Sequence, residues 1–127
     1  MRITLCGGAG SRDYARWMDT GNTALADALQ TQDIAAMAFA LRHGPTFAPH
    51  EDDALWLHRD AASGQRVLLL FSEARRAPAS LPPATALTPA ELETALSDTE
   101  IAAVIFDVAG PHPMQAAPAD VVAALQA

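Results

Sequence analysis

The chain contains no lysine: its eight basic residues are all arginines, set against fifteen acidic residues, and the formal net charge is −7. A P-loop requires a lysine beside the β- and γ-phosphates, so the lack of lysine excludes that nucleotide site. Nucleic acids and anionic membrane surfaces bind clustered cations, and the acidic balance therefore argues against both classes of partner.

Cysteine, aromatic residues and long apolar runs are also scarce. Cys6 is the only cysteine, which excludes a disulfide within the chain and predicts a buried, unreactive thiol. No apolar run is long enough to span a bilayer, and the first residues lack the pattern of a secretory signal peptide, so we expect a cytoplasmic protein. Half of the residues are hydrophobic but only 6% are aromatic, which predicts a core built largely from small aliphatic side chains.

A glycine-rich stretch, LCGGAGS at residues 5–11, follows a segment that favours a short strand. Its three glycines do not have the spacing of a dinucleotide-binding fingerprint, so we expect a turn and not a phosphate site. Tyr14, Trp17 and Met18 would share one face of a short helix. Residues 1–21 are therefore predicted to form an N-terminal arm with a short strand and a short helix.

Residues 22–127 are predicted to form a single domain. Asn22 and Asp33 suit the N-caps of two successive helices, and Thr88, Pro89 and Glu91 form a capping box with proline at the first helical position. The predicted elements are helices over 23–30 and 34–41, strands over 46–49, 54–59 and 66–71, a loop with one helical turn over 72–83, a weak edge strand over 84–87, a helix over 88–97, a strand over 101–106, a loop over 109–115 and a helix from 118.

Two apolar runs, RVLLLF at 66–71 and IAAVIF at 101–106, predict buried strands. A helix lies between them in sequence, which favours a parallel crossover, and Ser63–Gly64 favours a hairpin before the first run. The expected fold is α/β (α+β), with a mixed sheet of about four to five strands covered by helices.

Three stretches resemble the SseB N-terminal-domain family (enhanced serine sensitivity, with some members linked to type III secretion). They are NTALADALQTQDIAAMAFALRHGPTFAPH, RVLLLFSEARRA, and LTPAELETAL followed by IAAVIFDVAG. The resemblance covers residues 22–127 and implies an α/β sandwich with a binding or accessory role and no catalytic residues. The chain departs from the family at residues 107–111, where members often have Asn-Pro, and the family does not account for the N-terminal arm.

The densest polar cluster is HEDD at residues 50–53, with His58 beyond it. His50, Glu51, Asp53 and His58 are candidate ligands for a metal ion if a hairpin brings the two histidines together. Neighbouring acids in a strand point in different directions, so a solvated acidic turn is the favoured interpretation.

The residue types of a Ser-His-Asp triad are present as Ser72, His112 and Asp107. Asp107 and His112 follow a buried strand, where open α/β sheets often bind ligands. No G-x-S-x-G motif surrounds Ser72, which favours a turn serine.

The candidate interaction residues are Trp56, Arg75, Arg76 and His112, because tryptophan is enriched at interface hot spots and paired arginines bind carboxylates or phosphates. The predicted function is a non-enzymatic cytoplasmic binding or accessory module that contacts a protein partner or forms a homo-oligomer and needs no cofactor. The alternative is a small-molecule or metal-dependent enzyme that uses the cluster at residues 50–53 or the loop with Asp107 and His112.

Overall fold

The structure, a computed structural model, describes residues 21–97 and 100–127. The strand and helix predicted within the N-terminal arm lie outside the described residues. The described elements are α1 (Thr23–Thr31), α2 (Ile34–His43), β1 (Thr46–Glu51), β2 (Ala54–Leu55), β3 (His58–Arg59), β4 (Arg66–Leu70), a 3₁₀ turn (Ala74–Arg76), β5 (Ala84–Leu87), α3 (Pro89–Leu96), β6 (Ile101–Phe106), β7 (Met114–Ala116) and α4 (Pro118–Gln126).

The helices begin where the sequence predicts. The side chains of Asn22 and Asp33 accept the N–H groups of the residues three positions later and cap α1 and α2. The predicted capping box is complete in α3, since Thr88 and Glu91 each accept the other's backbone N–H. The longest described helix, α2, has ten residues. No helix in the described part of the chain has the length and apolar character needed to cross a membrane.

The seven described strands form two sheets. One is antiparallel, in the order β2-β1-β5, and the other is mixed, in the order β3-β4-β6-β7 with β4 and β6 parallel. The predicted adjacency of the two apolar strands is thus confirmed. A pair of backbone hydrogen bonds between Phe47 and Phe71, with N···O distances of 2.9 and 2.7 Å, joins the sheets.

The predicted single strand over 54–59 is divided in two, which accounts for two sheets in place of one. Ala54 and Leu55 pair with β1, whereas His58 and Arg59 pair with β4. Both Asp52 and Asp53 have positive φ angles, 52° and 63°, and form the tight turn of a hairpin between β1 and β2. β7 was expected to be loop, and it pairs antiparallel with the end of β6.

The core lies on both faces of β4, as its apolar run predicts. Alternate residues of this strand, Leu68 and Leu70, enter a large cluster to which all four described helices contribute. Val67, Leu69 and Phe71 enter a second cluster on the other face. Helices therefore cover one face, and the segment between β4 and β5 covers the other with side chains such as Leu81.

Ile34 does not enter the core, although its spacing from Met37 and Leu41 places it on the apolar side of α2. It is the first residue of α2 and is 67% exposed, on the rim of an apolar groove between α2, β7 and α4. Met37 and Leu41, further along the same helix, are buried.

Candidate functional site

The parallel pairing of β4 and β6 brings Ser72 and Asp107 together, because the carboxyl ends of parallel strands meet at one edge of a sheet. Oδ1 of Asp107 accepts the backbone N–H of Ser72, and Oδ2 accepts the Ser72 hydroxyl, both at 2.8 Å. Ser72 is fully buried and Asp107 is 3% exposed. A buried carboxylate is stable only when it is hydrogen-bonded or paired, and Ser72 supplies both of these hydrogen bonds.

The backbone at Asp107 is turned sharply as it leaves β6. Its φ angle is 47°, in the left-handed region that aspartate tolerates better than most residues. The N–H of Asp107 donates to the carbonyl of Leu70, and its own carbonyl accepts the N–H of Gly110, both at 2.8 Å. This turn holds the carboxylate over the end of β4.

Arg76 lies beside this carboxylate without bonding closely to it. Its Nη1 is 4.0 Å from Oδ2 of Asp107, and its Nε is 4.0 Å from Oε2 of Glu73. Both distances exceed that of a hydrogen bond, and Nε is buried with no hydrogen-bond partner among the residues that the structure describes. Glu73 is instead bonded by Nε of Arg75, at 2.5 Å.

Arg76 and Asp107 line a polar cavity of about 270 Å³, which we call the edge pocket. Its polar wall combines the edge of the sheet with one side of α1, and the residues that give it its chemistry are Asp27, Gln30, Arg76, Asp107 and His112. Three of these were singled out in the sequence. Asp27 and Gln30 were not, although their i, i+3 spacing on the polar side of α1 was a usable signal.

The Ser-His-Asp triad that these residue types would allow is not assembled, in agreement with the favoured interpretation of Ser72 as a turn serine. The Ser72 hydroxyl donates directly to Asp107, whereas a triad places the imidazole between the serine and the acid. Ser72 is also fully buried, so its hydroxyl is out of reach of a substrate, and His112 is exposed. The observed arrangement ties two strand ends together.

The HEDD cluster does not form a metal site. Within residues 21–97 and 100–127, no three His, Cys, Asp or Glu side chains are grouped as metal ligands, so His50, Glu51, Asp53 and His58 do not surround a common point. The physical reason is strand alternation and the tight turn: His50 is buried, whereas Glu51, Asp53 and His58 are exposed.

The His50 ring is fixed by the backbone two residues earlier. Its Nδ1 lies 2.8 Å from the carbonyl oxygen of Ala48 and donates to it. Its Nε2 is buried and has no hydrogen-bond partner in the described part of the chain. Burial lowers the pKa of His50 below its ordinary value of 6.5, so the ring is neutral at pH 7.

Trp56 lies at the break between β2 and β3. The backbone N–H of Trp56 donates to the carbonyl of Pro49 at 2.9 Å, and the indole packs, half-buried, against the cluster that contains Phe47 and Phe71. The residue lines two neighbouring clefts: one extends to the segment 80–83 and the other to Arg59. We call these two clefts and the indole between them the Trp56 surface.

No protein-family model matches this chain, and no curated protein or solved structure matches it either. The resemblance to SseB N-terminal domains therefore stays a prediction.

Proposed function

We propose that the chain is a non-enzymatic cytoplasmic binding module that contacts a protein partner through the Trp56 surface. The position of the Trp56 indole supports this proposal. One side of the ring packs against the core, and Trp56 lines two neighbouring clefts. Interface hot spots are enriched in tryptophan that projects from a rigid support. Because the indole is already packed, little side-chain entropy would be lost when a partner binds.

The strands on either side of Trp56 favour an extended partner segment. β2 is the outer strand of one sheet and β3 is the outer strand of the other. Outer strands present unpaired backbone groups on which a second chain can form hydrogen bonds. Residues 54–59 therefore offer a partner the outer edges of two sheets, with the indole of Trp56 between them.

Charge further defines the partner. The cleft that extends to the segment 80–83 is bordered by Glu51 and Asp52, and among the described residues its lining includes the neutral ring of His50 but no arginine. Complementary charge steers association and excludes partners of the wrong sign. The segment that fits is extended and carries a basic residue next to the position that contacts the indole.

The experiment compares Trp56→Ala with Phe39→Ala, which removes an exposed aromatic ring from a different part of the surface. Phe39 is 55% exposed and contacts the ring of His43. Proteins retained by the wild-type chain are purified, and their affinities for both variants are measured. We expect Trp56→Ala to weaken binding by about 30-fold, the scale of a hot spot, and Phe39→Ala to leave it unchanged.

Fluorine NMR locates the contact. Trp56 is one of two tryptophans in the sequence, so 5-fluorotryptophan in a Trp17→Phe background reports on Trp56 alone. Partner binding should shift that single resonance. Equal binding to both alanine variants, or failure to find a protein that the wild type retains and Trp56→Ala loses, would overturn the proposal.

A further inference from the structure

The edge pocket is lined by the guanidinium of Arg76, whose nearest acids among the described residues lie beyond hydrogen-bond distance. The Nε of Arg76 is buried and has no hydrogen-bond partner among the described residues, and the acids nearest to the guanidinium remain 4.0 Å away. Because Nε is buried, a ligand oxygen would be bound by the Nη groups of Arg76, whose side chain is 32% exposed. The planar guanidinium is suited to a carboxylate or carbonyl oxygen.

The same pocket also contains negatively charged hydrogen-bond acceptors. Asp107 is fixed in orientation by Ser72, which bonds one hydrogen to each carboxylate oxygen, and each oxygen retains further capacity to accept. Asp27, from α1, adds a second carboxylate to the wall. These two acids would repel a ligand whose only charge is negative, and Arg76 would repel one whose only charge is positive.

The pocket is small. Its volume of about 270 Å³ lies just below the range that holds drug-sized molecules, so a ligand of few non-hydrogen atoms fits. Such a ligand must present a positively charged group for the acids and an oxygen for Arg76, with a short distance between the two.

We propose that the edge pocket binds an ammonium group next to a carboxylate or carbonyl oxygen, the chemistry shared by a free α-amino acid and the first residue of a peptide. Arg76 binds the oxygen, and Asp27 and Asp107 bind the ammonium. This site goes beyond the proposed function, because the residues of the edge pocket and those of the Trp56 surface do not overlap.

Backbone amide NMR titrations with four probes, at constant ionic strength, test the need for the ammonium group and the need for the oxygen separately. L-Alanine is the free amino acid, and L-alanyl-glycinamide presents the same ammonium and a carbonyl at a peptide N-terminus. N-Acetyl-L-alanine lacks the ammonium, and isopropylamine lacks the oxygen. The reporters are the N–H groups of Ser72 and Gly110, which are hydrogen-bonded to Asp107.

We expect L-alanine, L-alanyl-glycinamide or both to shift these resonances. N-Acetyl-L-alanine and isopropylamine should bind at least about tenfold more weakly, since each loses one charge-assisted contact. Binding of alanine alone would identify a free amino acid as the ligand. Binding of alanyl-glycinamide alone would identify a peptide N-terminus.

Matched variants test the assigned residues. Arg76→Gln should weaken binding about tenfold, and so should Asp27→Asn, whereas Arg75→Gln should not. Arg75 belongs to the same turn, but its side chain is 86% exposed and it does not line the pocket.

Equal binding of all four probes, binding of none, or equal losses in the Arg75 and Arg76 variants would overturn the assignment. Trp56→Ala should leave this titration unchanged, so failure here is distinguishable from failure of the proposed protein contact.

Discussion

The buried imidazole of His50 shows how a single residue can make folding depend on pH. One nitrogen is hydrogen-bonded to a backbone carbonyl, and the other is buried with no hydrogen-bond partner in the described part of the chain. Burial disfavours the charged ring and lowers the pKa of His50 below 6.5. The unfolded chain therefore binds a proton more readily than the folded chain does.

From this shift we predict that the free energy of unfolding falls as the pH is lowered from about 7.5 to about 5.5. The stabilisation from the neutral ring is complete above the unfolded pKa and decreases below it. In His50→Gln the loss over this interval should be smaller. Urea unfolding at several pH values measures the difference.

His58→Gln is the matched control, because His58 is exposed on β3. Between these pH values His58→Gln should lose more stability than His50→Gln loses. If His50→Gln lost as much stability as the wild type between these pH values, the buried ring would not be the source of the effect.

At the scale of secondary-structure elements, Asn22 joins parts of the chain that are distant in sequence. Its Oδ1 accepts the N–H of Leu25 and caps α1, while its Nδ2 donates to the carbonyls of Ala40 and Pro45, each at 3.0 Å. A β-carbon at Gly44 would lie 2.5 Å from Nδ2, so glycine is required where this side chain passes. Asn22 thus ties α1 to the end of α2 and the start of β1.

We predict that Asn22→Ala lowers the free energy of unfolding by about 3 kcal/mol, since it removes a cap and leaves two buried carbonyls without a donor. The exposed side chain of Asp33 only caps α2, so Asp33→Ala should lower the free energy of unfolding by about 1 kcal/mol. Urea unfolding of the two variants gives both values. Equal losses would show that the bonds to Ala40 and Pro45 contribute nothing beyond capping.

At the scale of the whole molecule, Phe47 and Phe71 hold the two sheets together. Their backbones exchange two hydrogen bonds, and their side chains belong to the same buried cluster. Phe71 is fully buried. The cluster is small, so each ring is a large part of the contact between the sheets.

We predict that Phe71→Ala lowers the free energy of unfolding by about 4 kcal/mol, through lost burial and the cavity left behind. Phe39→Ala, at an exposed position, should change it by less than about 0.5 kcal/mol. Calorimetry of both variants provides the test. A small effect at Phe71 would mean that the sheets are joined mainly by other contacts.

The amino-acid sequence by itself determined the features that depend on neighbouring residues. The caps at Asn22, Asp33 and Thr88 follow from local hydrogen bonding. The apolar runs at 67–71 and 101–106 were recognisable because both faces of these strands pack against apolar clusters, which leaves few polar positions. Their parallel pairing followed from the helix between them.

The tertiary structure decided what depends on partners distant in sequence. Residues 54–59 are divided because the first end of the segment pairs with β1 and the other end pairs with β4. β7 forms because its backbone pairs with the free edge of β6. Contacts between distant residues also bury His50. They likewise place Arg76, Asp107 and His112 beside α1 in the edge pocket. No local pattern encodes such contacts, since they exist only after the sheets have paired and α1 has packed against them.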